Sequence, residues 1–245
     1  MSYITKPISP ASLPTKEAGY ITLVYGDKGS GKTTFAIDTA DIAQPLWFAN
    51  FDKDCSALLS QYKGTEIYYE RFNPTLNKVQ ATRECDRLYD MVKAASKVGG
   101  VFVIDGAKFM HNMVTEAYLP TKMNDDKAYP KEYGDVNVYH GKLNAALEDS
   151  TLWPIYLASA TEIWKAMTEG TGLYTYDGWN GLKLAACVAL YLFCPGMPQG
   201  VKHIPTEAKW PVKYQGQIAE SKLDRSLLGS ILDNPRFSDI IEACY

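Results

Sequence analysis

The chain has 245 residues, 46% of them hydrophobic, which is enough for one large domain or two small ones around a substantial core. A formal net charge of −3 and a pI of about 5.7 advertise no global nucleic-acid or anionic-membrane surface. Five cysteines without a C-x-x-C pair (Cys55, Cys85, Cys187, Cys194, Cys244) and three dispersed histidines argue against a zinc site, and free thiols suit a reducing cytoplasm.

Residues 1–19 hold three prolines (Pro7, Pro10, Pro14) and little periodicity, so they read as an extended lead-in. They lack a basic-then-apolar signal pattern, and no run approaches membrane-spanning length, so a soluble intracellular protein is expected. Tyr20 to Tyr25 has the composition of a buried strand. Gly26 to Thr33, "GDKGSGKT", fits G-x-x-x-x-G-K-[ST] without a mismatch. Phe35, Ala36, Ala40 and Ala43 then recur at helical spacing, which predicts a helix starting near Gly31.

A strand feeding a glycine-rich loop and a helix start is an anion trap, because small residues let backbone N–H groups converge on phosphate oxygens. Gly26, Asp27, Lys28, Gly29, Ser30, Gly31, Lys32, Thr33 and Thr34 form the expected nucleotide-binding set. Lys32 is placed to reach β- and γ-phosphates and the Thr33 hydroxyl to ligate Mg²⁺, so ATP and Mg²⁺ are the expected cofactors. ATPases with a second loop lysine place it five residues before the main one, where this chain has Asp27; Lys28 therefore reads as a solvated charge within the loop.

Further along, "PLWFANF" (Pro45 to Phe51) is a second strand, followed by Asp52 and Asp54. "NKVQATRECDRLYDMVKAASK" (Asn77 to Lys97) is an amphipathic helix with Val79, Leu88, Val92 and Ala95 on one face. "VFVID" is a third strand, closed by Asp105. Residues 119–135 read as a polar surface loop, about 136–148 as a helix, and "WPIYLAS" as a fourth strand. The stretch "EGTGLYTYDGWNG" reads as a polar loop, and "ACVALYLF" as a fifth strand. Alternating strands and helices imply an α/β fold: a mostly parallel twisted sheet with helices on both faces, in one domain spanning 20–245. Its core would cover about 20–195, with a C-terminal extension over 196–245.

A carboxylate ending a buried strand one unit after the loop can support Mg²⁺, which makes Asp105 a metal ligand beside Thr33. Hydrolysis also needs a group that orients or deprotonates water. Many ATPases place a Glu right after the metal-supporting Asp, but Gly106 stands here, so the base comes from elsewhere. Asp52 and Asp54 lie just past the second strand, either as that base or as solvated acids capping the next helix, "DCSALLSQ".

At this point the chain resembles the RecA-like P-loop ATPase core, over roughly residues 20–195. In that family the strand after the P-loop helix ends in F-x-x-x-acid, and "FANFD" puts Asp52 at the water-activating position. The next strand carries the Walker-B aspartate, matched by Asp105. "LASATE" offers Ser159 or Thr161 as the polar sensor, and "GWNGLKLAACVALYL" is similar to the G-x-N-x-L-K segment and strand that follow, including Asn180 and Lys183. More narrowly, the chain resembles compact phage-encoded ATPases, including the single-strand-annealing type, whose tail is similar to "GQIAESKLDRSLLGSILDNPRF". Two departures stand out: Asp replaces Glu at the base, and the sensor Gln is missing.

The resemblance implies an ATPase, with Lys32, Asp52 and Asp105 carrying the chemistry, that acts on DNA in recombination, replication or repair. It implies a homo-oligomer with the nucleotide at a subunit interface, a cation supplied in trans by Lys222, Arg225 or Arg236, and a cytoplasmic location, that of the host if phage-encoded. Single-stranded DNA contacts would come from "VKHIPTEAKWPVKY", through Lys202, His203, Lys209, Trp210, Lys213 and Tyr214, or from Tyr174, Tyr176 and Trp179. The alternative is a nucleotide-dependent switch or assembly factor that binds protein partners and hydrolyses slowly. A small-molecule kinase is disfavoured, because no arginine-rich lid follows the core.

Overall fold

The computed structural model describes residues 20–73, 77–119, 133–165, 169–193, 214–222 and 225–244. The lead-in, most of the 119–135 insert and the 201–213 stretch, with Lys202, His203, Lys209, Trp210 and Lys213, lie outside them.

The apolar runs form strands β1 (Thr22–Gly26), β2 (Leu46–Asn50), β4 (Gly100–Asp105) and β7 (Val188–Phe193), with β3 (Ile67–Arg71) between β2 and β4 in the chain. β1, β2 and the last five residues of β4 are buried throughout, as expected of strands covered on both faces. Strand β5 (Leu152–Lys165) is twice as long as its apolar segment suggests. The stretch read as the polar loop after it contains a strand, β6 (Glu169–Tyr176), antiparallel to β5, so the two form a hairpin beyond the sheet's edge. Its glycines and threonines look like loop residues, but the hairpin needs no fully buried face, and alternation is correspondingly weak.

The sheet runs β3-β2-β4-β5-β1-β7-β8-β9, where β8 is Gln215–Ser221 and β9 Ile231–Asp233. β3 through β7 pair in parallel along this order; β8 and β9 add antiparallel strands to the β7 edge. The molecule is therefore α/β with a mostly parallel mixed sheet, and the tail beyond residue 213 continues that sheet.

Helices cover both faces. On one side lie α1 (Lys32–Asp38), which starts where the spacing predicts, short α2 (Ser56–Leu59) and, at the C-terminus, α7 (Phe237–Cys244). On the other lie α3 (Lys78–Val98), α4 (Ala107–Tyr118) and α5 (Gly134–Glu148), with the single turn α6 (Leu182–Ala185) before β7. α3 buries Ala81, Cys85, Leu88, Met91, Val92 and Ala95. Val79, assigned to that face from spacing, is 63% exposed, because at about 100° per residue it lies about 180° around the helix from Leu88, on the solvent side. Asn77 caps the helix, its side chain accepting from the Gln80 amide. Among the described residues, no helix is long and apolar enough to cross a membrane.

Candidate active site

The parallel strands deliver four side chains to one edge of the sheet. β1 ends at Gly26 and the loop turns back into α1 at Gly31, whose φ of 90° is open to glycine and strained for other residues. A side chain at Gly31 would also meet the Tyr214 ring, 3.0 Å from a Cβ there. Lys32 opens α1 and folds back, its Nζ donating to the carbonyls of Gly26 at 2.9 Å and Asp27 at 2.8 Å. The Thr33 hydroxyl donates to Asp105 Oδ2 at 3.3 Å, across 72 positions of sequence. Ser30 is buried inside the loop, and its Oγ has no hydrogen-bond partner among the described residues. Lys28 is exposed, as a solvated charge would be.

Asp105 ends β4, directly opposite Asn50 of β2, and its carbonyl accepts from the Phe51 amide at 2.8 Å. Burial pushes its carboxyl from the ordinary 3.8 up to about 6; the charge of Asp52 pushes the same way, while Lys32 and the Thr33 hydrogen bond pull back. Lys32 shows the reciprocal pattern: burial lowers its pKa, and Asp105, Asp27 and Asp52 oppose that. Asp52 is thus within electrostatic reach of both, while its own side chain stays exposed. Gly106 makes this approach possible. It takes φ 97°, and a Cβ there would lie 3.3 Å from the Asp52 nitrogen.

The two loop acids differ in what they do. Asp54 Oδ1 accepts from the Ser56 amide at 2.9 Å and from the Tyr69 hydroxyl at 3.1 Å, so it caps α2, one of the two uses read for this pair. Asp52 makes no such cap. Its backbone amide donates to Asn50 Oδ1, and Asn50 is fully buried, its Nδ2 donating to Lys53 O at 2.8 Å and Tyr69 Oη at 2.9 Å. Sequence reasoning missed Asn50, a polar residue inside an apolar strand, which is itself the signal that it orders the following turn.

Ser159 lies opposite Gly26 in the β1–β5 register, with its carbonyl accepting from the Asp177 amide, whereas Thr161 is further out in the hairpin, opposite Thr175. Asn180 accepts through its carbonyl from the Tyr176 hydroxyl, and Lys183 pairs with Glu220. Of the candidate stacking residues, Tyr174 stacks on Tyr191, Tyr176 bonds to the 179–180 turn, and Trp179 lies flat on His140 at 4.5 Å. All three are engaged inside the molecule. In the tail, Lys222 Nζ donates to the Leu184 carbonyl, and Arg236 lies within electrostatic reach of Tyr214 on the loop's flank. Arg225 is exposed.

The chain matches no known family model and no curated protein.

The residues fit a magnesium-bound triphosphate. Ser30 Oγ is a buried donor without an acceptor among the described residues, and Thr33 with Asp105 forms the hard oxygen pair that Mg²⁺ prefers.

Proposed function

We propose that the chain is a RecA-like ATPase that binds Mg·ATP at the Gly26–Thr34 loop and acts on single-stranded DNA. The observation that carries this reading is the convergence of Lys32, Thr33, Asp105 and Asp52 on one sheet edge around a complete P-loop pattern. Lys32 exchanges its two loop carbonyls for phosphate oxygens, and the Ser30 hydroxyl and loop amides supply further donors. Thr33 and Asp105 hold the metal, which neutralises charge on the phosphates when bound. Asp52, exposed beside them and set by Asn50, positions the attacking water and accepts its proton.

The order β2, β4, β5, β1, which places the Asp52, Asp105, Ser159 and Gly26 ends in a row, supports the same reading. Self-association with the nucleotide at the subunit interface belongs to it, as do the tail cations. The test is steady-state phosphate release with and without single-stranded DNA. A Mg²⁺-dependent rate that DNA raises supports the proposal. A slow rate indifferent to DNA moves the reading to a nucleotide-dependent switch that binds protein partners.

A further inference from the structure

Beside Asp52, the ends of β2 and β3 and the first turn of α4 enclose a pocket of about 590 Å³. Phe51 and Phe72 form its base, stacked with ring centroids 4.8 Å apart and nearly fully buried, and Phe109 of α4 adds a partly exposed ring. Lys53, Arg71 and Asn73 line its rim, all exposed. Neither Lys53 nor Arg71 is in an ion pair among the described residues.

We propose that this pocket takes one nucleotide of a single-stranded nucleic acid, its base against Phe109 and its flanking phosphates on Lys53 and Arg71. The proposal deepens the nucleic-acid half of the function above and rests on it. Cations beside an aromatic ring are the ordinary means of holding a single strand. Tyr174, Tyr176 and Trp179 also line pockets, but Lys183 beside the two tyrosines is paired with Glu220, whereas Lys53 and Arg71 flank Phe109 without an ion pair among the described residues, at the same sheet edge as the glycine-rich loop.

A small metabolite is the poorer fit. Small-molecule sites enclose most of their ligand, and here every polar group of the rim is exposed, as suits a polymer laid across an open pocket. Two carboxylates set the path. Asp52 belongs to the lining and repels phosphate, so the backbone runs on the Lys53–Arg71 side. Asp54, whose charge and that of Arg71 feel each other, is held by Ser56 and Tyr69. A strand seated there touches the residue that positions water, which gives the nucleic acid a direct route to the hydrolysis rate.

The test is fluorescence anisotropy of a labelled oligothymidylate with the full chain, Mg²⁺ and a non-hydrolysable ATP analogue, over a salt series. Wild type is compared with the Lys53→Ala/Arg71→Ala double variant and with the conservative Lys53→Arg/Arg71→Lys pair. The double variant is expected to bind roughly tenfold or more weakly. Its log affinity should fall less steeply with log salt, by about 1.4 in slope, since each phosphate contact on a single strand contributes about 0.7. The conservative pair keeps the wild-type slope, and phosphate release without DNA is unchanged in both. Wild-type affinity and slope in the double variant overturn the proposal. So does displacement of the oligonucleotide by thymidine monophosphate at equal phosphate concentration, which makes the pocket a small-molecule site. A wild-type chain that hydrolyses ATP but binds no oligonucleotide also overturns it, while leaving the nucleotide site standing.

Discussion

Asp52 and Asp54 are two positions apart and both exposed, yet their surroundings give them different work. Asp54 spends its carboxylate on the Ser56 amide and the Tyr69 hydroxyl, and Asp52 bears electrostatically on Lys32 and Asp105. Asp52→Asn is therefore expected to keep nucleotide binding while lowering phosphate release on the order of a hundredfold, the scale of losing a general base. Asp54→Asn should change the rate little and leave stability near wild type, since an asparagine Oδ1 still accepts from the Ser56 amide. Phosphate-release kinetics and urea unfolding of both variants check this, and equal rates in the two would place the base elsewhere. At this scale the sequence was legible where the chemistry is local. The loop pattern occupies eight consecutive residues, and Asp105 ends an unbroken apolar run. What stayed hidden depends on contacts between distant positions: the Thr33–Asp105 hydrogen bond, the buried Asn50, and Tyr214 against Gly31.

α4, α5 and the turn before α6 meet around two histidines that look dispersed in the sequence. His111 Nδ1 and His140 Nε2 are 3.1 Å apart, and Trp179 covers His140 while its indole N–H donates to Asn137 Oδ1 at 2.8 Å. Nearby, Lys108 of α4 pairs with Asp177 at 2.5 Å, so the end of the hairpin is tied to the turn of helix that follows Asp105. Burial holds the His140 imidazole down at about 3, with His111 pushing the same way. Burial lowers His111 too, although the charge of Asp177 opposes it. His140 is thus neutral in the folded chain and takes a proton near 6.5 in the unfolded one. Between those values the unfolded state binds more protons, so this contribution is lost as pH falls from 6.5 towards 3. From about pH 7.5 to about pH 5 the loss is about 2 kcal/mol. Urea unfolding should show that decline in wild type and a flatter pH dependence in His140→Gln; parallel slopes would contradict it. Element boundaries were legible for α1 and α3, where apolar spacing is strong. β3 and the β5–β6 hairpin were missed, because their tyrosines and threonines carry no clear period; α4 was passed over although Met110, Met113, Val114 and Ala117 recur at helical spacing.

The C-terminal segment shapes the whole molecule more than its Pro- and Lys-rich sequence suggests. β8 pairs with β7, and Phe237 of α7 is fully buried, edge-on to Phe35 of α1 at 6.2 Å and to Trp153 of β5 at 5.7 Å. The helix that begins at the glycine-rich loop, α1, is thus packed from behind by α7. Phe237→Ala is expected to cost about 3–5 kcal/mol, as removal of a buried aromatic ring does. Urea unfolding measures it, and a loss under about 1 kcal/mol would mean that α7 packs loosely. The parallel sheet with helices on both faces was legible from alternation alone. Its antiparallel β8–β9 edge was not, since short half-exposed strands leave little apolar signature. The central claim, that this sheet edge holds a nucleoside triphosphate, is tested most directly by calorimetric titration of Mg·ATP into the full chain and into Lys32→Ala. Losing a charged hydrogen-bond donor costs about 1.5–3 kcal/mol, so saturable binding in wild type should weaken roughly ten- to hundredfold in a folded variant. Absence of binding to wild type, or equal affinity in the two, would contradict the account.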